Sequence, residues 1–199
     1  MKIYHLIVSL LFSTSVFADD ISDFEIEGMT IGDSALMYLS EIEIKNEVKL
    51  NSYMYEYLEK GKFGHVILND NLTTYDFANI MIKLDDNNYT IHKVVGIISF
   101  TEDMDGCLNK RDEIFEELSP LFKNTTTDKE IKKHPVDSSG KSITNSRTFW
   151  FMSGNEYNGD VIALSCSNFD ENLRKKNNWI EGLSITTVTK ELNDWLNNY

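Results

Sequence analysis

Apolar positions between residues 91 and 122 change period once, and the rest of the chain is organised around that change. In TIHKVVGIISF, Ile91, Val95 and Ile97 recur at even spacing, which predicts a strand with one buried face. After the polar corner TEDMDG the period becomes helical. Cys107, Ile114, Leu118 and Leu121/Phe122 then recur at spacings of 7, 4 and 3–4, which predicts a helix starting at Cys107. Upstream, FGHVIL, YDFANIMIKL and the segment from Tyr89 read as three strands. In the second of these, Ala78, Ile80, Ile82 and Leu84 alternate with Phe77, Asn79 and Met81, and Asp85-Asp86-Asn87-Asn88 turns it into a hairpin with the third. Downstream, RTFWFMS, VIALSCSNF and WIEGLSITTV predict three more strands. Phe149/Phe151 against Trp150/Met152 makes the first of them apolar on both faces, as a covered central strand requires. Leu192, Trp195, Leu196 and Tyr199 stripe a closing helix that docks on the sheet.

The first third is mostly helical. Phe24-Glu25-Ile26-Glu27 alternates briefly, and Asp33 or Ser34 then caps a short helix over 35–39. Ser40 and Glu43 have capping-box spacing and start a second short helix to about Val48. A further turn carries Tyr53, Met54, Tyr57 and Leu58, with Gly61 ending it. Ser119-Pro120 kinks or restarts the later helix. Residues 124–146 lack any periodic apolar pattern and gather threonine, serine, Pro135, Gly140 and the basic group Lys129, Lys132, Lys133, His134. They read as a long polar loop or an extended hairpin tip, disordered in the absence of a partner. A helix followed by three strands occurs twice, without residue-level identity between the halves. The fold class is α+β, an antiparallel sheet of about six to seven strands with helices mainly on one face.

Met1–Ala18 carries Lys2, an apolar run over 6–12 and a small-residue end before Asp19-Asp20. That is the layout of a secretory signal peptide, too short in its apolar part to span a bilayer. Cutting after Ala18 removes 18 of the 199 residues and leaves 181, expected as one α+β domain over 19–199 with no membrane span. Export gives meaning to the two cysteines, which pair more often than not in an oxidising compartment. Cys107 on the helix and Cys166 in VIALSCS are read as one disulfide pinning helix to sheet. A reactive Cys107 thiol is the sharper alternative, but no activating partner lies near it in sequence.

The net charge of −13 becomes −14 once Lys2 leaves, which disfavours nucleic acid and anionic membrane surfaces as partners. Asp and Glu are spread along the chain, as on an acidic solvated surface. The basic group at 129–134 is either solvated or meets an acidic partner.

Chemistry-bearing motifs are sparse. Gly32-Asp33-Ser34 resembles the GDS block of the GDSL/SGNH hydrolases, which implies Ser34 as an ester-cleaving nucleophile. That family's Asp-x-x-His base near the C-terminus has no counterpart: the last histidine is His134, with Ile131 three residues before it. The Gly-x-Asn-Asp oxyanion block is absent too. A helix cap is the simpler role for Ser34. His65, His92 and His134 fall on separate elements with no metal-binding spacing. The turn clusters 69–71 and 85–88 lack the EF-hand glycine and glutamate, and no phosphate-binding or dinucleotide fingerprint occurs. No cofactor and no metal are expected.

EIEGMTIGDSALMYLSEIEI, GIISFTEDMDGCLNKRDEIFEEL and IALSCSNF with the closing helix together resemble a family of small exported bacterial proteins with an E-G-M-x-I-G-D-S opening and two cysteines. The resemblance implies export, a cysteine pair and a bacterial source, and carries no activity. The opening also resembles the helix starts of small outer-membrane assembly lipoproteins, although their lipobox cysteine is missing.

These readings favour a non-catalytic periplasmic or secreted binding module whose partner is an envelope protein or a small ligand. Twelve per cent aromatic residues suit a contact surface, with Tyr53, Tyr55, Tyr57 and Tyr157 as candidates. The alternatives are a serine esterase using Ser34, and an exported enzyme inhibitor probed through the basic loop Lys129–His134, of which Lys132, Lys133 and His134 are binding candidates.

Overall fold

In a computed structural model, which describes residues 21–53, 58, 61–68, 72–135 and 137–198, two antiparallel meanders share one central strand. The first comprises β1 (Phe63–Leu68), β2 (Phe77–Lys83) and β3 (Ile91–Ser99). The second comprises β4 (Thr125–Lys133), β5 (Ile143–Ser153) and β6 (Glu156–Asn168). β7 (Gly182–Val188) inserts between β3 and β6, giving the order β1-β2-β3-β7-β6-β5-β4. Every pairing is antiparallel, so β7 satisfies the inner backbone edges of both meanders at once.

One face carries the main core. Ile80, Ile82, Val94, Phe149, Phe151, Ile162, Leu164 and Ile185 are buried there beneath α1 (Glu41–Asn51) and α2 (Met104–Leu118). α2 contributes the stripe Cys107, Ile114, Leu118, followed by Phe122, and Phe115 stacks on Phe149 at 4.3 Å. The opposite face holds a smaller core in which α4 (Lys190–Asn197) lays Leu192 and Trp195 against Phe63, Met81 and Val188. Cys107 and Cys166 form a disulfide between α2 and β6, with Cα atoms 6.0 Å apart.

Several expectations are corrected by this arrangement. The segment expected as a long polar loop over 124–146 is a strand for its first half. β4 pairs with β5 from Thr125 to Lys133, leaving only the tip as loop. An outermost strand exposed on both faces needs no apolar alternation, so its pattern is silent, while its lysines and acids guard the open edge. β5 is therefore second from an edge, and Trp150 stays half-buried, edge-on to Tyr157 at 5.1 Å. The even-spaced stripe Ile91, Val95, Ile97 is broken: Met81 faces Lys93 while Ile82 faces Ile91, so His92 is an extra residue. Ile91 and Val94 point to the main core and Val95 to the other side. α2 begins at Met104, with the Asp103 carboxylate accepting from Gly106 N at 2.8 Å, so Cys107 sits one turn further in. Ser119-Pro120 ends α2. Residues 24–27 contribute only the bridge Ile26–Met29. A short polar helix, α3 (Glu171–Asn177), separates β6 from β7 and is capped by Asp170. The proposed signal peptide over 1–18 and most of the turn around Tyr53–Leu58 lie outside the described residues.

Candidate functional site

The N-terminal segment, α1 and the end of β1 enclose a half-open cleft of about 510 Å³. Its construction starts with a tight turn. Glu27 and Gly28 have φ of 52° and 74°, which folds Ile26 back onto Met29. Gly32, at φ 90°, redirects the chain into a 3-10 turn, Ala35–Met37, whose N-cap is Ser34. Ser40 and Glu43 then close the capping box that starts α1: Ser40 Oγ accepts from Glu43 N, and Glu43 Oε2 accepts from Ser40 N at 2.7 Å.

Met29, Leu39, Ile67, Leu68 and Leu72 give the cleft its apolar lining. Tyr38, Glu27, Glu43, Asn46 and Glu47 supply the polar groups. Glu27 is a structural anchor. Its two carboxylate oxygens accept from the amides of Thr73, Thr74 and Tyr75 and from the Thr73 hydroxyl, at 2.6–3.1 Å. Partial burial pushes its pKa upward, but these hydrogen bonds together hold it below the usual carboxylate range. Tyr38 donates to Asp33 Oδ2 at 2.6 Å and lies 3.0 Å from the Gly28 carbonyl; burial, then the bond to Asp33, pushes the phenol up and keeps it neutral.

Glu47 works at the exposed edge of the sheet. Its Oε2 accepts from Ile67 N at 3.3 Å and from Asn51 Nδ2 at 3.1 Å, and Asn51 also reaches the His65 carbonyl at 3.5 Å. Side chains of α1 thereby occupy backbone groups of β1 that no described strand pairs. Gly64 permits the close approach, since a Cβ there would lie 2.7 Å from a Val48 methyl. Met37 and Ile42, one residue before the lining residues Tyr38 and Glu43 in sequence, are 70% and 73% exposed.

The residues singled out from sequence are dispersed. Ser34 Oγ donates to the Asn88 carbonyl at 2.6 Å and accepts from Leu36 N at 3.3 Å; neither bond involves a histidine. Tyr53 is 80% exposed just beyond α1, while Tyr55 and Tyr57 lie outside the described residues. Tyr157 accepts from Asn193 Nδ2 at 3.0 Å. Lys132 and Lys133 are exposed at the end of β4, with Lys132 paired to Glu130 at 2.8 Å. His134 packs its ring 4.5 Å from Trp179 and 5.8 Å from Phe169, in a small aromatic cluster at the hairpin tip. His65 and His92 both have pKa values lowered, chiefly by burial. Among the described residues, no group of three His, Cys, Asp or Glu side chains converges as a metal site.

Sequence reading missed the cleft and Arg111. Arg111 occupies the buried stripe of α2, four residues after Cys107 and three before Ile114, and that position was the available signal. The cleft left none, because its walls come from stretches distant in sequence. In comparisons with family models, curated proteins and solved structures, no match to the chain was found.

Proposed function

We propose that the protein is a non-catalytic binding module of the periplasm or extracellular space, and that the cleft between α1, the N-terminal turn and β1 receives a small ligand. The observation carrying this reading is the cleft itself: a concavity of about 510 Å³ lined, among the described residues, by five apolar and five polar side chains. Catalysis is given no part in it. The Ser34 hydroxyl proton is committed to a carbonyl, and the Glu27 carboxylate is filled by backbone amides. The disulfide suits an oxidising compartment, and among the described residues no helix is long and apolar enough to cross a membrane.

The test is a ¹H–¹⁵N NMR screen of the disulfide-intact protein against a panel of small amphiphiles. The expected result is saturable shifts that cluster at the amides of Leu39, Asn46, Ile67 and Leu72. Shifts confined to another face, or none from any member of the panel, would overturn the assignment of the cleft.

A further inference from the structure

The two outer edges of the sheet end differently. On β1, Glu47 and Asn51 of α1 meet the outward Ile67 N–H and His65 carbonyl. On β4 no described helix does so. The direction of its backbone follows from the two bonds that flank it: His134 N donates to the Ser142 carbonyl and Met152 N to the Asn124 carbonyl, both at 2.9 Å. The register between them is unbroken, from Thr125 facing Phe151 to Lys133 facing Ile143. Even-numbered residues therefore bond β5, and odd-numbered residues turn their N–H and C=O groups outward. Among the described hydrogen bonds, that outward row has one: Lys129 N donates to the neighbouring Asp128 Oδ1 at 2.7 Å.

The side chains along this edge have their own pattern. Odd-numbered residues stand on the face that carries α2, opposite Phe149, Arg147 and Asn145. There Ile131, 63% exposed, is bracketed by Lys129 and Lys133 two residues to either side. Neither lysine forms an ion pair within 4 Å among the described residues, whereas Lys132 on the other face holds Glu130 at 2.8 Å. Lys129 acts on Asp112 only at longer range. With three lysines against Asp128 and Glu130 the strand sums to +1, in a chain that sums to −13. Thr125, Thr126, Thr127 and Ile131 are β-branched and suit a pleated strand. Lysines on an open edge repel a basic or apolar strand and attract an acidic one, so the same residues that guard the edge select its partner.

We infer that β4 receives an extended acidic segment of a partner protein as an eighth strand of the sheet, bonded along the odd-numbered edge, with carboxylates on Lys129 and Lys133 and an apolar side chain on Ile131 between them. Charge decides the occupant. A second copy pairing antiparallel through β4 would set the uncompensated lysines of both chains along one seam, which is unfavourable. An acidic strand neutralises them. Asp128 then releases Lys129 N, and the incoming carbonyl takes its place. The edge lies outside the cleft, and strand addition there does not depend on a ligand in the cleft.

Hydrogen exchange of the disulfide-intact protein, read by ¹H–¹⁵N NMR, tests the inference with the peptide acetyl-Thr-Glu-Thr-Val-Thr-Glu-Thr-amide, whose Glu, Val and Glu share one face. One comparator has Lys for both Glu. The other has Pro for the two Thr beside Val, which keeps the charge and removes the ability to pair as a strand. The expected result is saturable binding that slows exchange at the amides of Thr127, Lys129 and Ile131 and leaves those of Asp128 and Glu130, already bonded to β5, unchanged. Binding should weaken as salt is raised, and both comparators should bind roughly tenfold more weakly or worse. Thr127→Pro removes one outward donor and spares the bonds to β5, so it should cost roughly two- to tenfold in affinity with the melting temperature little changed. Lys129→Gln combined with Lys133→Gln should cost a similar factor. Unslowed exchange at the odd-numbered amides with the acidic peptide would overturn the inference, as would equal binding of the lysine peptide. Equal binding of the proline peptide would leave charge attraction alone and overturn strand addition. Protection of the same amides that grows with protein concentration in the absence of peptide would give the edge to a second copy. The wild-type exchange pattern decides the matter even where Thr127→Pro lowers stability.

Discussion

Arg111, 1% exposed on α2, donates from Nη1 to Asn145 Oδ1 at 2.7 Å and to the Asn145 carbonyl at 3.1 Å. Asn145 is the cross-strand neighbour of Cys166, and Cys107 lies one helical turn before Arg111. The helix is thus fastened to the sheet by a covalent and a polar latch side by side. The remaining guanidinium donors reach Asp112 Oδ1, at 2.9 and 2.7 Å from Nε and Nη2.

Replacing Arg111→Met removes the donor and leaves the Asn145 oxygens buried. Urea denaturation with the disulfide intact should show a loss of about 1–3 kcal/mol. Asn145→Ala should be non-additive with it in a double-mutant cycle, because both remove the bond from Arg111 Nη1 to Asn145 Oδ1.

The disulfide closes a loop with a sequence separation of 59. Cys107→Ala with Cys166→Ala should destabilise the protein by about 4 kcal/mol on the chain-entropy account, read as a lower urea midpoint. An equal midpoint would assign the anchoring of α2 to Arg111 and the phenylalanine stack.

His92 links stability to pH. Burial lowers its pKa, with its Nδ1 at 2.8 Å from Thr189 Oγ1 at the start of α4. The unfolded histidine titrates near ~6.5, so below that pH the unfolded chain binds the proton more readily. This contribution is complete above that value and lost as pH falls from there toward the lowered folded value. His65 is shifted in the same direction, also by burial. The urea midpoint should therefore fall between about pH 7.5 and pH 5. His92→Gln should flatten part of that slope; an identical slope in the variant would refute the linkage.

Glu27 holds the loop that borders the cleft. Glu27→Ala should free the amides of Thr73, Thr74 and Tyr75 and cost about 1–3 kcal/mol. Hydrogen exchange should quicken at those three amides first. Because its folded pKa is depressed, Glu27 contributes fully above the ordinary glutamate value near ~4.3. That contribution is lost as pH falls from there through the folded pKa.

Ser34→Ala distinguishes a cap from a nucleophile. Losing the bonds to Leu36 and Asn88 should lower stability by about 1 kcal/mol in thermal unfolding. Hydrolysis of a generic ester by the wild type that disappears in the variant would contradict the cap reading.

What the sequence by itself determined is what burial writes locally. β2 buries Ile80 and Ile82 because both meet the same core; α2 buries Cys107, Ile114 and Leu118; and Ser40 with Glu43 announces α1 through bonds three residues apart. The α+β class and the cysteine pair follow from such signals. Only the tertiary structure decided the rest, wherever the deciding contact is distant or burial is absent. β4 carries no apolar rhythm because both its faces meet solvent, and α3 has no buried residue to give it one. The slip at His92 depends on how β3 meets β2. The cleft exists only because Glu27 captures residues 73–75 while α1 caps the edge of β1. Those bonds span tens of residues, and no local period records them.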